Sequence, residues 1–376
     1  MSNLTIFLVS VLFVTLLSGN SLPAEEVSWR LVDGLGRPLT GAYEVMLYQG
    51  DDIYKGEESK GVRYHFARGS DGLYHGNVQL SETPERSLQW IVSKGGRIVF
   101  HLSFRSSEGL GRHGELEIKQ SIPVTEVSKL ASLKGEKLGS RLLEILASAE
   151  MSSGKHNAEL FRISDHIVSA LYPALDHPRV SGYATGLLCL FSNPGALRII
   201  APRVLSKPEI HPRCAGALVS PSSPTEWEIL KRSLISRGDE TANAALALAA
   251  NGSKEALVIL DSGLRKAGTI PEGRIHRTTR RGILLRAMRW IESHPNGLRS
   301  YPELEKSIEA ASGIVTKEWE GGAFSVQRVS LDRRGEKALV ECQNFHGVMA
   351  AMGFEMVFHR IGELWVLRGI WSTWVS

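Results

Sequence analysis

The pattern of apolar and polar positions changes twice along the chain. From Val27 to about Lys119, short alternating runs are separated by Gly, Asp and Ser, which is typical of antiparallel strands joined by turns. From about Leu138 to Gly313 the apolar residues recur at helical spacing, and after Gly321 the alternation returns. The pattern predicts a multidomain fold: a β-sandwich, then an α-solenoid of helical hairpins, then a small α+β module with an antiparallel sheet. We place these parts at residues 27–120, 138–300 and 301–376.

The N-terminal part contains five runs that alternate as strands do. Several short strands with glycine-bearing turns between them are typical of a sandwich. The segment Lys94–Arg97 predicts a hairpin turn, because its two glycines tolerate the positive φ that such turns need. The five strands are expected at residues 29–32, 43–48, 73–80, 88–92 and 97–102.

The middle part contains a repeat. The segment His177-Pro178-Arg179 recurs as His211-Pro212-Arg213, and each copy leads into a stretch rich in Ala, Leu and Gly. Amphipathic second helices then start near residues 196, 226 and 255, at spacings of 30 and 29 residues. Paired helices at a fixed period predict a solenoid, because one hairpin cannot bury its apolar face alone.

The C-terminal part alternates again after a helix expected from Pro302 to about Glu320. Four strands are predicted, and turns around residues 332–336, 346–347 and 361–363 separate them. The strands are expected at residues 324–331, 337–345, 353–361 and 364–374.

Three resemblances follow from these motifs. The opening segment, with Asp33-Gly34, Pro38 and Gly41-Ala42 before a second strand, resembles carboxypeptidase regulatory-like or transthyretin-like domains, which implies a non-catalytic extracytoplasmic module. The helical repeat resembles HEAT-like repeats of the bilin-lyase type, whose characteristic residues are packing residues, so no catalytic site transfers with it. The last strands, with their Trp-bearing end, resemble the terminal sheet of nuclear-transport-factor-two-like folds, a family that includes both enzymes and binding domains.

The first residues are expected to lie outside the fold. Residues 4–17 form an uncharged apolar run of 14 residues. This run is shorter than the roughly 20 apolar residues of a membrane span and has the length of a secretory signal core. We therefore predict a signal peptide at residues 1–24, cleaved near Ala24, and a periplasmic or secreted protein. An uncleaved membrane anchor and a buried structural segment are the alternatives.

The composition and the motifs exclude several classes of function and indicate no specific one. The chain of 376 residues has 44 Lys and Arg against 40 Asp and Glu, a net charge of +4 that does not indicate nucleic acid. The histidines and cysteines show no metal-ligand spacing, and no phosphate-binding loop or nucleophile elbow occurs. Neither a metal nor a cofactor is expected. Cys189, Cys214 and Cys342 lie in apolar runs, so we expect three buried thiols.

Two groups of residues are candidates for chemistry. Glu355 and His359 share one face of a predicted strand, and Glu341 lies on the neighbouring strand. They could form an acid–base group or simply an exposed polar face. The helix from Arg274 to Arg289 carries six arginines. The candidates for binding an anion or an acidic partner are Arg277, Arg280 and Arg281, with a solvated face as the alternative.

The sequence favours a non-enzymatic scaffold. The repeat and the lack of catalytic motifs predict an exported protein that binds a protein or polymer partner at the cell envelope through its helices. Membrane contact is expected only through residues 4–17. A small-molecule-binding or hydrolytic C-terminal domain is the first alternative, and an anionic-ligand binder using residues 274–289 is the second.

Overall fold

The computed structural model describes the chain from Glu25 to Val375, except for eleven internal segments. It divides into two compact units, residues 1–118 and 119–376. The predicted signal peptide at residues 1–24 lies outside the described residues. The segments left out are residues 51–61, 79–86, 96, 106–112, 120–121, 149–153, 208–210, 237–238, 268–273, 319–322 and 348–349.

The N-terminal unit is one seven-stranded sheet. Its strands lie in the order β6-β5-β2-β3-β4-β1-β7. All neighbours are antiparallel except β1 and β7, which are parallel. The predicted two-glycine hairpin is confirmed, since it joins β5 to β6. The strands are β1 (Glu25–Asp33), β2 (Glu44–Gly50), β3 (Val62–Arg68), β4 (Tyr74–Val78), β5 (Ser87–Lys94), β6 (Arg97–Arg105) and β7 (His113–Ile118).

This sheet curls around its own core. Trp29 on β1 and Trp90 on β5 have ring centroids 5.2 Å apart, although three strands separate β1 from β5 in the sheet. Phe66 on β3 also packs on Trp90, with ring centroids 5.0 Å apart. One continuous ladder therefore closes over the aromatic cluster as a half-barrel, whereas the sequence predicted two packed sheets.

Twelve α-helices are described between Val124 and Glu318. The longer ones are amphipathic, and α9 is buried from Thr241 to Ala250. The helices are α1 (Val124–Lys129), α2 (Gly135–Leu146), α3 (Gly154–Arg162), α4 (Ser164–Leu171), α5 (Ser181–Leu190), α6 (Pro194–Ser206), α7 (Pro212–Gly216), α8 (Pro224–Leu234), α9 (Asp239–Asn251), α10 (Lys254–Ala267), α11 (Arg274–Ser293) and α12 (Leu304–Glu318).

The second helices of the predicted repeat recur regularly. α6, α8 and α10 begin at residues 194, 224 and 254, each 30 residues after the one before. Each start is capped by a side-chain oxygen that accepts backbone N–H groups, from Asn193, Ser223 and Ser253 respectively. α6 packs on α8 and α8 on α10. The local caps explain why the period is visible in the sequence.

A disulfide joins α5 to α7. Cys189 at the end of α5 is bonded to Cys214 in α7, and Cys342 on the C-terminal sheet is a buried free thiol. The expectation of a buried thiol is therefore wrong for Cys189 and Cys214. The two cysteines lie 25 residues apart in sequence, and the stacking of α5 on α7 brings their Cα atoms to 4.9 Å.

The C-terminal sheet has four antiparallel strands in the order β11-β10-β9-β8, as the alternation predicted. It packs on the helices, with β11 in contact with α7, α9 and α12. Gly216 permits this approach, since a Cβ there would lie 2.3 Å from the backbone oxygen of Ile370. The strands are β8 (Ala323–Leu331), β9 (Lys337–Gly347), β10 (Ala350–Ile361) and β11 (Leu364–Val375).

Candidate functional site

A polar cavity of about 480 Å³ lies between the helices and the C-terminal sheet. Helix α3, the start of α7, the start of α9 and all four strands of the sheet contribute to its walls. Its volume is within the range of small-molecule sites. Most of its lining residues can donate or accept hydrogen bonds, namely Asn157, His211, Arg213, Asp239, Gln327, Glu341, Gln343, Glu355, Ser372 and Thr373.

Two of the predicted site residues meet in this cavity. Glu341 on β9 and Glu355 on β10 are directly opposite each other in the strand register, and both line the cavity. Residues paired in this way have Cβ atoms about 5 Å apart, and two like charges at that spacing repel each other. Each carboxylate must therefore have a compensating partner.

Glu355 is compensated inside the protein. Its side chain is only 6% exposed. The indole Nε1 of Trp371 donates a 2.7 Å hydrogen bond to Oε2, and the Arg213 guanidinium Nη2 lies 3.2 Å from the same oxygen. Because a buried carboxylate is costly without such partners, this arrangement holds the charge at one place on the cavity wall.

Glu341 is compensated from the other side. The Nε of Arg328 donates a 3.0 Å hydrogen bond to Oε1, and Nη2 of the same guanidinium donates to Oε1 as well. Gly154 leaves room for this pair, since a Cβ there would lie 3.0 Å from Arg328 Nη2 and 3.4 Å from Glu341 Oε2. The cavity therefore contains two adjacent Glu–Arg pairs.

Bulges in the sheet direct further polar residues to the cavity. Gln327 is the extra residue of a bulge in β8, and Thr373 is the extra residue of a bulge in β11. Both line the cavity. Bulges are frequent beside functional sites because they re-aim a side chain that regular alternation would direct elsewhere. Sequence alternation alone cannot locate them.

Asn157 on α3 is a buried amide in the cavity wall. It is 2% exposed, and its side chain makes no hydrogen bond within the part of the chain that the structure describes. Buried polar side chains nearly always have a partner, and within the described ranges the space that this amide faces is the cavity. This amide is therefore available to a bound molecule. Nothing in the sequence pattern indicated this role, since Asn157 lies in an ordinary amphipathic helix.

His211 is the N-cap of α7. Its Nδ1 accepts a 3.3 Å hydrogen bond from the Arg213 backbone N–H, and His177 makes the same contact with Arg179. Burial, assisted by the positive charges of Arg213 and Lys207, lowers the pKa of His211 to about 4. The second copy of the His-Pro-Arg segment thus caps α7 and lines the cavity, whereas the first copy precedes α5, whose N-cap residue is Val180.

Asn243 forms hydrogen bonds to two elements of the cavity wall. Its Oδ1 accepts hydrogen bonds from the backbone N and the Oγ of Ser372, at 2.8 and 3.1 Å. Its Nδ2 donates to the backbone oxygen of Pro212 at 3.3 Å. This fully buried amide on α9 therefore fixes both α7 and β11 where they enclose the cavity.

His359 lies outside the cavity lining. Its Nε2 donates a 3.1 Å hydrogen bond to the backbone oxygen of Phe191. Burial lowers the pKa of His359 to about 4, assisted by the positive charge of Lys337. His359 is four residues from Glu355 on a strand that rises about 3.3 Å per residue. The structure therefore brings together the two glutamates but not the histidine.

Cys342 lines the cavity without being reactive. Burial, followed by the charges of Glu355 and Glu341, raises the pKa of its thiol to about 12. Its Sγ lies 3.5 Å from the backbone oxygen of Phe354. Because the thiolate is the nucleophilic form, this cysteine is a packing residue.

The predicted arginine face lies partly outside the described side chains. The backbone of α11 is helical from Arg274 to Ser293, as expected. The side chains of Arg277 and Arg280 lie outside the described residues, and Arg281 is exposed.

Comparison of the chain with family models, curated proteins and solved structures found no match. The assignment of function therefore depends on the geometry above. Within the described ranges, no three His, Cys, Asp or Glu side chains are grouped so that they could hold a metal ion. In those same ranges, no helix combines the length and the apolar character needed to cross a bilayer.

Proposed function

We propose that this protein is a non-enzymatic binding protein whose cavity between the helices and the C-terminal sheet holds a small polar ligand. The observation that carries the proposal is the buried Asn157 amide, which has no described partner and faces a cavity of about 480 Å³. A ligand that supplies this hydrogen bond would compensate for the burial of the amide.

The ionisable groups favour binding over hydrolysis. Glu355 is held by Trp371 and Arg213, and Glu341 is held by Arg328, so both carboxylates already have fixed cationic or donor partners. His211 is neutral at pH 7, because its pKa is about 4. A general base works best with a pKa near the operating pH, and the pKa of His211 lies well below it.

The test is a ligand screen with matched variants. A library of small sugars, amines, amino acids and carboxylates is screened by the shift in melting temperature, and each positive is measured by calorimetry. We expect at least one ligand to bind the wild type and to bind Asn157→Leu at least tenfold more weakly. Glu309→Gln, which removes an exposed carboxylate on α12, is the control and should bind normally. If no compound binds, or if Asn157→Leu binds as well as the control, the proposal fails.

A second function is favoured by the outer row of helices. α6, α8 and α10 form a repeated series, which we propose is a short HEAT-like solenoid. Ile199 on α6 is 53% exposed and Val258 on α10 is 67% exposed. Exposed apolar residues on a repeated surface suit a protein or polymer partner at the cell envelope.

This scaffold role has its own test. The wild-type chain is used to capture partners from envelope extract, in parallel with Ile199→Ser and Val258→Ser. A specific partner that both variants lose and Glu309→Gln retains would support the scaffold. Capture that is unchanged in both variants would contradict it.

Export is proposed with the same function. The disulfide between Cys189 and Cys214 supports export, because disulfides persist in the periplasm and outside the cell. Fractionation and N-terminal sequencing of the mature protein test it. A mature chain that starts near Glu25 in the periplasm or medium is expected, and an intact N-terminus in the cytoplasm would contradict it.

A further inference from the structure

We propose that the ligand is a small hydroxylated primary amine, and that its ammonium group lies between Glu341 and Glu355. This inference depends on the ligand-binding function proposed above. It adds the chemical class of the ligand and the position of its charge.

The two carboxylates each have a free oxygen. Trp371 and Arg213 both contact Oε2 of Glu355, and Arg328 donates only to Oε1 of Glu341. Among the described residues, nothing donates a hydrogen bond to Oε1 of Glu355 or Oε2 of Glu341. The two residues are directly opposite on neighbouring strands, with Cβ atoms about 5 Å apart, so an ammonium group placed between the carboxylates would contact both of these oxygens.

A primary ammonium fits this arrangement. It is a compact cation with three N–H donors, so it can donate to both free oxygens and to one further acceptor. The carbonyl oxygen of the Asn157 amide, which has no partner among the described residues, is a suitable third acceptor, since it lines the same cavity. An anionic ligand would instead have to displace Glu341 or Glu355 from its arginine.

The charge of the cavity agrees with a cation. Its wall contains three carboxylates, from Glu341, Glu355 and Asp239. Only two guanidinium groups, those of Arg213 and Arg328, neutralise them, since His211 is uncharged at pH 7. Asp239 is exposed at the start of α9 and makes no ion pair with another described residue. Among the residues that line the cavity and their ion-pair partners, the carboxylates therefore outnumber the guanidinium groups by one.

The rest of the wall favours hydroxyl groups. Gln327, Gln343, Ser372 and Thr373 present amides and hydroxyls to the cavity, and these groups pair with ligand hydroxyls in either direction. The volume suits a molecule of the size of an amino sugar.

The experiment compares matched ligands on the full mature chain at pH 6, where the amines are protonated and ordinary carboxyl groups are ionised. D-glucosamine is measured against D-glucose and N-acetyl-D-glucosamine by calorimetry, and 4-amino-1-butanol is measured against 1,4-butanediol. We expect each amine to bind at least tenfold more tightly than its uncharged counterparts.

Variants locate the ammonium group. Glu341→Gln and Glu355→Gln should each weaken amine binding at least tenfold and change binding of the uncharged counterparts less than threefold. Thr373→Arg places a cation at an exposed position in the wall and should abolish amine binding even if a glutamine variant fails to fold. The control Glu309→Gln should bind as the wild type does.

The outcomes separate the two proposals. If the amines bind no better than their uncharged counterparts, or if Glu341→Gln, Glu355→Gln and Thr373→Arg leave amine binding unchanged, the ammonium site is wrong. Binding of uncharged or anionic compounds that Asn157→Leu removes would then leave the ligand-binding function intact. If no compound of the library binds at all, both proposals fail.

Discussion

Trp371 and Glu355 form a cross-strand pair in which the indole N–H donates a 2.7 Å hydrogen bond to the buried carboxylate. This hydrogen bond links β11 to β10. The same oxygen, Oε2 of Glu355, also lies 3.2 Å from the Arg213 guanidinium on α7, so it links the sheet to the helices. Because the carboxylate is buried, its partners contribute to the stability of the unit as well as to the cavity.

Replacing Trp371 with Phe should therefore destabilise the C-terminal unit. The change leaves Glu355 without its N–H donor, and hydrogen bonds to charged groups contribute about 1.5–3 kcal/mol. Urea unfolding followed by circular dichroism measures the loss. Trp365→Phe is the matched control, since Trp365 is buried on the same strand without an indole hydrogen bond to a described residue. Equal losses in the two variants would contradict the role of the hydrogen bond.

The two arginines of the cavity should differ in their contribution. Arg213→Met leaves the carboxylate of Glu355 without its cation in a site that is 6% exposed, and such a loss costs about 3–5 kcal/mol. Arg328→Met affects Glu341, which is 23% exposed, so water compensates for more of the loss. Urea unfolding of both variants should place Arg213→Met well below Arg328→Met in stability. The reverse order would show that Glu355 does not depend on Arg213.

The disulfide should stabilise the helical region. Cross-linking Cys189 to Cys214 closes a loop of 25 residues, for which the chain-entropy estimate is about 3 kcal/mol. Adding a reductant should lower the unfolding free energy of the wild type by that amount. It should have no effect on the double variant Cys189→Ser/Cys214→Ser. Free thiols at both positions in protein isolated without reductant would contradict the bond.

Two histidines should make the protein less stable in acid. The pKa values of His211 and His359 are lowered to about 4 from the ordinary 6.5, so the unfolded chain binds protons more readily than the fold. Their contribution is fully present above about pH 6.5 and is lost as the pH falls towards 4. It amounts to about 3 kcal/mol for each histidine at most.

Unfolding experiments between pH 7.5 and pH 4.5 measure this slope. His359→Gln keeps a side-chain donor for the Phe191 carbonyl and should flatten the slope. His65→Gln, which changes an exposed histidine of the N-terminal sheet, should retain the wild-type slope. An unchanged slope in His359→Gln would contradict the lowered pKa.

Gly216 should be irreplaceable where α7 meets β11. A Cβ at this position would lie 2.3 Å from the Ile370 backbone oxygen, so Gly216→Ala must push the sheet away from the helix. Gly139→Ala is the control, because a Cβ in that position of α2 meets nothing within 4 Å. The control should gain about 0.5–1 kcal/mol from helix propensity, whereas Gly216→Ala should lower the melting temperature. Equal effects would show that the sheet can shift without cost.

The regular elements were largely predictable because their signals are local. The alternation from Gly353 to Ile361 predicted β10, and the capped starts after Asn193, Ser223 and Ser253 set the 30-residue period of the second helices. Strands β3 and β7 of the N-terminal sheet were missed; β7 is short and carries few apolar residues, whereas β3 alternates Val62, Tyr64 and Phe66 with polar residues and was overlooked.

The candidate site was only half predictable. Alternation placed Glu355 on one strand face, and the pairing of β9 with β10 then brought Glu341 opposite it. Alternation also favoured His359, which the structure places outside the cavity. The role of Asn157 could not be predicted, because the sequence pattern of an amphipathic helix does not distinguish a buried amide from an exposed polar residue.

By itself, the sequence determined the succession of sheet, helices and sheet and the period of the second helices, because these depend on contacts within a few residues. The tertiary structure alone decided that Cys189 reaches Cys214 and that α3, α7 and α9 enclose a cavity against the C-terminal sheet. It also decided which carboxylate oxygens of Glu341 and Glu355 receive no hydrogen bond from the described residues. The residues that line the cavity are up to 219 positions apart in the chain, from Gly154 to Thr373. A local sequence pattern contains no information about which of these distant side chains will lie together.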